Sequence, residues 1–245
     1  MRIYTGSISA VSAPYPGFIR VRLSHPDFQW TRPIGDFYIK LLLEPAPDGL
    51  TDFRPQDFEM RTYTIADCGP GWVDVDCVDH QPTGPGTDWF LAATPGAPFS
   101  IIAPSPGEEL WAPALKLPDC ERRIAIVDAT AYPALLNMEQ ESTTPITALL
   151  YGFDPQDHHP TVDSWDGIVE WLDQFLGGQL LRPVCTNDSE PYIWDLASDS
   201  SRTQFFFAGE SGLIKKLRRY TLSKGVERSA VSFMGYWRLP VPPRS

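Results

Sequence analysis

The chain is poor in basic residues, histidine and cysteine: its 245 residues hold 20 Lys plus Arg against 31 Asp plus Glu, with four His and four Cys. The net charge of −11 excludes a protein whose main work is to grip nucleic acid, because neutralising phosphates needs a surplus of cations. Cys68, Cys77, Cys120 and Cys185 form no C-x-x-C pair and have no nearby pair of histidines, which argues against zinc and against an iron–sulfur centre. They read as reduced, small core residues, as expected of a cytoplasmic chain. His158 and His159 are adjacent in a turn-rich stretch, 154–160, where neighbouring side chains diverge, so a solvated loop is expected and a metal site is not. No apolar run is long enough to cross a bilayer, and the first residues hold no apolar stretch of signal-peptide length, so no membrane partner is expected. There is no internal repeat and no low-complexity block.

What is present is the profile of an ordinary globule, 42% hydrophobic and 21% charged, with a length that suits one large domain or two small ones. Up to about residue 118, short apolar runs at 18–23, 37–43, 60–65, 72–78 and 99–102 alternate with polar residues and are broken by Gly and Pro. That pattern predicts strands with one buried face, and the turn spacing suits a sandwich or a barrel. From about residue 121 strands alternate with helices. Strands are predicted at 124–127, 146–151, 205–207 and 230–237, and helices at 130–139, from Asp163 as cap to 175, and at 210–223. This alternation implies a mostly parallel sheet in an α/β domain, with the join near residues 113–120.

Three features carry candidate chemistry. In Arg61-Thr62-Tyr63-Thr64 a guanidinium can pair with a diphosphate, a ring can stack on a planar heterocycle, and a hydroxyl can reach a ring nitrogen or carbonyl; the same residues also make an ordinary strand. Gly84-Pro85-Gly86-Thr87 reads as a loop whose backbone N–H groups cradle phosphate with help from the Thr87 hydroxyl, or as a plain Gly-Pro turn. After Glu210 the charges are Lys215, Lys216, Arg218, Arg219, Lys224, Arg228, Arg238 and Arg244 against only Glu227. Such a segment on an acidic chain makes a local field that draws an anion, or, at 215–219, the solvated face of a helix.

Five pieces in order resemble the siderophore-interacting proteins, a family of FAD-dependent ferric-siderophore reductases built like ferredoxin reductases. They are Tyr38-Ile39-Lys40-Leu41, Arg61-Thr62-Tyr63-Thr64, and Val73-Asp74-Val75-Asp76-Cys77-Val78-Asp79-His80 leading into Gly84-Pro85-Gly86. Asp128-Ala129-Thr130-Ala131-Tyr132-Pro133-Ala134 follows, then Phe207-Ala208-Gly209-Glu210 with Tyr236-Trp237-Arg238. The resemblance implies an antiparallel Greek-key β-barrel that binds FAD over 1–117, and a Rossmann-like, NAD(P)H-binding-like α/β domain with a siderophore-interacting end over 118–245. It implies that Arg61 neutralises the FAD diphosphate, Tyr63 packs on the isoalloxazine and Thr64 bonds its edge. His80 would contact the flavin or its diphosphate region, and Gly84, Gly86 and Thr87 would cradle phosphate.

Lys40 and Arg238 would meet a ferric siderophore, and Asp128, Thr130, Gly209 and Glu210 would line the site of the electron donor, NAD(P)H or a ferredoxin. No side-chain acid or base is needed beyond the flavin, and a monomer is expected. Two other readings stay open: a flavoreductase serving a redox protein, and a degenerate member that binds a siderophore without reducing it. The chain departs from the family pattern at Ala66, where Arg is usual, at Ala97, where Asp is usual, and in the turn from Ala103 to Gly107, which has two prolines. Val127 and Ala129 stand where the family has Gly and Glu, and Val127 puts a branched side chain where backbone would approach a nucleotide. FAD is therefore expected, and a standard NAD(P)H site less so. Tyr38 replaces a His, and Ser105 and Ser232 stand where relatives can carry basic residues.

Overall fold

The computed structural model describes residues 2–31, 35–46, 54–105, 108, 120–156, 159–178 and 203–239; His158, Cys185, Arg244 and the turn residues Pro106 and Gly107 lie outside these. Six strands close into an antiparallel barrel: β1 (Arg2–Ser12), β2 (Phe18–Ser24), β3 (Tyr38–Leu42), β4 (Met60–Gly69), β5 (Trp72–Val78) and β6 (Pro98–Ala103). Their order around the barrel is β1-β2-β5-β4-β3-β6, a Greek-key crossing in which β1 returns to pair with β6. Closure leaves no strand edge open to another chain. Alternate side chains fill the interior, among them Ile8, Val21, Ile39, Leu41, Val75 and Ile101. The longest strand, β1, is absent from the sequence-based reading, because only Tyr4 and Ile8 of its eleven residues are buried and the alternation fades after Ile8.

Register between β2 and β5 is held by two charge-assisted forks. Arg20 donates to Asp76 at 2.6 and 2.8 Å, and Arg22 to Asp74 at 2.7 and 2.8 Å, each across a facing pair. The Arg22 guanidinium also lies 3.7 Å from the Trp72 ring centre. A slip of one residue would undo both forks and turn every core side chain outward.

The predicted loop at 84–87 is instead the start of a helix, α1 (Pro85–Ala92). Pro85 sits at its first position, where the missing N–H costs nothing and φ is already helical.

The remaining strands form a sheet of order β11-β10-β7-β8-β9, parallel throughout. These are β7 (Arg122–Asp128), β8 (Ile146–Tyr151), β9 (Thr161–Val162), β10 (Thr203–Glu210) and β11 (Val231–Trp237). Every residue of central β10 is buried, which is why Phe205-Phe206-Phe207 is a continuous apolar run and not an alternating one. The helices are α2 (Tyr132–Glu141), α3 (Trp165–Gly178) and α4 (Ser211–Ser223). Ser164, not Asp163, caps α3: its Oγ accepts from the Gly167 N–H at 3.1 Å.

The chain divides into two compact units, Met1–Leu115 with Pro133–Glu141, and Lys116–Tyr132 with Ser142–Ser245. The barrel unit thus recruits most of α2 from beyond its own stretch of sequence. Asn137, 1% exposed, explains why: its side-chain amide donates to the carbonyls of Gly35 at 3.0 Å and Ile65 at 2.8 Å.

Candidate functional site

Alternation along β4 sends Arg61, Tyr63 and Ile65 to one face and Thr62 and Thr64 to the other. The structure therefore splits the predicted triplet. Arg61 and Tyr63 turn toward the first turn of α1, whereas Thr64 is buried on the opposite face, where it pairs with Tyr38 while Thr62 pairs with Lys40. Lys40 thus shares a face with Thr64 and not with Arg61.

Gly86 is the pivot of the first arrangement. A Cβ built on it would stand 2.4 Å from the Tyr63 hydroxyl and 3.3 Å from Arg61 Cγ, so only glycine lets helix and strand approach this closely. The Arg61 guanidinium donates to Glu59 at 2.7 Å and to the Met60 carbonyl at 2.9 Å. Tyr63 leans on Phe90, ring centres 4.9 Å apart, and burial drives its phenol well above the usual tyrosine range. The N-cap of α1 is Gly84, which has no side chain to cap the first turn and open space where a Cβ would stand. Pro85 brings no N–H, so the leading amides of α1 are those of Gly86 and Thr87, and the space beside the Gly86 Cα is bounded by the Arg61 stem. A helix start beside an Arg suits a diphosphate, so these residues fit the phosphate end of FAD.

His80 and Thr87 meet each other: His80 Nε2 and Thr87 Oγ1 are 3.2 Å apart, and His80 Nδ1 is 2.9 Å from the Pro82 carbonyl. Thr87 is 4% exposed, and its hydroxyl also lies 3.8 Å from the Cys77 sulfur. The Cys77 thiol also lies 3.5 Å from the Val78 carbonyl, and burial raises its pKa. Neither Cys77 nor Phe90 was singled out from sequence; an apolar-looking Cys mid-strand carries no signal of its partners.

In the second unit the predicted donor-site residues Asp128, Thr130, Gly209 and Glu210 come together at the carboxyl ends of β7 and β10, where open parallel sheets bind ligands. Asp128 Oδ1 accepts from the Thr130 N–H at 2.9 Å and the Thr130 hydroxyl at 2.5 Å. Its Oδ2 accepts from the Glu210 N–H and the Trp237 indole N–H, each at 2.8 Å. Burial nonetheless raises the Asp128 pKa above the ordinary carboxylate value, opposing those bonds. At Gly209, φ is +142° and a Cβ would stand 2.3 Å from Asp128 Oδ2, so glycine is required twice over. Glu210 caps α4, accepting from the Leu213 N–H at 2.7 Å and the Leu239 N–H at 3.3 Å. Burial works against its ionisation, but the N–H groups of Gly212, Leu213 and Leu239 together outweigh it and hold the pKa below the ordinary value. Trp237 is the member that the sequence reading missed as a contact; a half-exposed indole with a buried N–H needs an acceptor, and that was the available signal. Arg238 is exposed and near enough to Glu210 to favour its ionised form.

Among the described residues, no helix is long and apolar enough to cross a membrane. Barrel and parallel sheet are the two parts of a ferredoxin-reductase-like fold. A solved ferredoxin NADP+ reductase from Neisseria gonorrhoeae with bound FAD and NADP matches 97% of this chain and 100% of its own, with a TM-score of 0.64 at 13% identity. A siderophore utilization protein from T. fusca matches 100% of this chain and 95% of its own, with a TM-score of 0.67 at 18% identity.

The family models separate along the chain as the two sheets do. Residues 7–108 match the siderophore-interacting FAD-binding domain and residues 121–240 the siderophore-interacting protein model. The chain belongs to the siderophore-interacting protein family, and FAD is its cofactor. Among curated proteins, the mycobactin import ATP-binding/permease protein IrtA of Mycobacterium tuberculosis is 30% identical over 106 residues, which span 42% of this chain and only 12% of that much longer protein.

Proposed function

We propose that the chain is a cytoplasmic, monomeric FAD-dependent reductase that takes electrons from NAD(P)H or a ferredoxin and passes them to a ferric siderophore, releasing Fe(II). The observation that carries this reading is the meeting of Arg61 and Tyr63 with Gly86 at the uncapped start of α1, within a stretch matched to a siderophore-interacting FAD-binding domain. Bound FAD supplies the ability to accept electrons in pairs and release them singly, which a one-electron Fe(III) acceptor requires. Arg61 and the first-turn amides of α1 hold the diphosphate, with Gly84 leaving the approach open. Tyr63, braced by Phe90, offers its ring to the flavin. Lys40 in the barrel unit and, separately, Arg238 in the second unit each offer positive charge to an anionic chelate on a chain that is otherwise acidic. Hard oxygen ligands hold Fe(III) more tightly than Fe(II), so reduction itself loosens the iron. No side chain has to move a proton.

The test is anaerobic. The FAD-loaded protein is photoreduced, a ferric siderophore is added, and the flavin spectrum is followed beside an Fe(II)-trapping dye. Reoxidation in step with trapped Fe(II) is expected. A reduced flavin that stays reduced with every ferric chelate, yet is oxidised by a redox protein, overturns the reading.

A further inference from the structure

Glu59 lies one residue before β4, yet its backbone is already fixed. Its carbonyl accepts from the Leu43 N–H at 3.0 Å, one step beyond the Leu42–Met60 pair that ends the β3–β4 ladder. The two-residue period then puts Glu59 on the same face as Arg61 and Tyr63, so a carboxylate stands beside the guanidinium expected to meet a diphosphate. Arg61 Nη2 donates to Glu59 Oε1 at 2.7 Å and Nη1 donates to the Met60 carbonyl at 2.9 Å. Both terminal nitrogens are thus engaged by the chain itself. Arg61 is also the single cation of β4, since Ala66 stands where the family pattern has a second Arg. The pair is open to water, with Arg61 40% and Glu59 60% exposed. An exposed pair of this kind is weak, so a doubly charged diphosphate can displace the carboxylate from the guanidinium. The displaced carboxylate, held by its backbone, stays close enough to repel the incoming anion.

We infer that Glu59 is a resident competitor at the diphosphate subsite: its carboxylate occupies Arg61, and FAD binds by displacing it. Glu59 therefore lowers affinity for the diphosphate and leaves affinity for the flavin ring alone. The inference rests on the reading of Arg61 as the diphosphate residue, but not on the iron chemistry.

FAD and riboflavin share the ring and differ in the diphosphate, so together they isolate the effect. Dissociation constants for both are measured by fluorescence on wild type, E59Q, E59K, R61A and E59Q/R61A, at low and at high ionic strength. Inorganic pyrophosphate is titrated by calorimetry into the flavin-free proteins as a second readout. E59Q is expected to bind FAD about threefold more tightly than wild type, the size of an exposed charge pair, and E59K more tightly again. Riboflavin constants stay at the wild-type value in both. The gain shrinks at high ionic strength, as it does for any exposed charge. In the R61A background E59Q brings little further change, because the guanidinium over which the two anions compete is gone. Pyrophosphate follows the same order as FAD. E59Q that binds FAD more weakly overturns the inference, since Glu59 would then brace Arg61 for the phosphate. An unchanged FAD constant, a gain shared equally by riboflavin, or a gain undiminished in R61A overturns it as well. A wild-type protein that takes up no flavin sinks the proposed function instead, while the order of the pyrophosphate constants still decides the role of Glu59.

Discussion

Single atoms decide the proposed flavin end of this protein. The Cβ of Gly86→Ala would land 2.4 Å from the Tyr63 hydroxyl, far inside contact distance. G86A is expected to displace Tyr63 or α1 and weaken FAD about tenfold or more, as a local overpacking of 1–3 kcal/mol would. Removing the obstructing oxygen in G86A/Y63F should recover most of that loss, and fluorescence titration of both variants checks it. On the proposed reading Arg61→Ala removes a charge-assisted contact to the diphosphate worth about 1.5–3 kcal/mol, so FAD affinity should fall roughly tenfold to a hundredfold while riboflavin binding hardly changes. The types of these residues were readable in the sequence because Arg, Tyr and Gly each have one distinctive use. The sequence reading set Thr64 in one site with Tyr63, although strand alternation puts it on the opposite face of β4. What was not readable is the bond between Cys77 and Thr87, which depends on how far α1 leans onto the barrel.

At the scale of an element, the start of α4 shows how a helix end can be tuned by charge. Glu210 has its pKa held below the ordinary value of 4.5, because burial is outweighed by N–H groups that favour the carboxylate. A lowered folded-state pKa adds stability that is present above the unfolded value and is lost as pH falls through the folded one. E210Q should therefore melt below wild type by a constant margin above about pH 5, and that margin should shrink as the pH is taken below 4.5. Melting curves across this range decide it. Asp128 carries the opposite sign: burial raises its pKa, so its ionisation subtracts stability as pH rises from the unfolded value through the folded one. Its four acceptor bonds still make D128N costly, because an amide has one oxygen to face donors on both sides.

Helices were legible by their period and the parallel strands as short continuous apolar runs; 146–151 is predicted and found as β8. Three elements escaped for physical reasons, one of them the two-residue β9, too short to show a period. The exposed, serine-bearing β1 buries too little to alternate, and α1 is eight residues long and opens on Gly-Pro-Gly, the signature of a turn.

At the scale of the molecule, the division into units does not follow the order of the chain. The barrel unit takes in Pro133–Glu141, held by an asparagine whose amide feeds two backbone carbonyls of the barrel. N137A should cost about 1–3 kcal/mol through those orphaned carbonyls. N137D should cost more, since it sets carboxylate oxygens against carbonyl oxygens in a dry site. Urea denaturation of both variants, read for midpoint and slope, tests the order N137D below N137A below wild type. Composition and period give an expected join near residues 113–120 and no sign that Pro133–Glu141 groups with the barrel unit. Nothing in the pattern of α2 marks Asn137 as a clamp until its partners are seen.

That return of the chain has a consequence for how the protein is made. A ribosome delivers residues in order, so the six barrel strands emerge well before the helix that completes their unit. The first strand of the parallel sheet, β7, lies between them and must also leave the tunnel. The nascent barrel therefore waits with two carbonyls uncovered, and synthesis of the second half finishes the first.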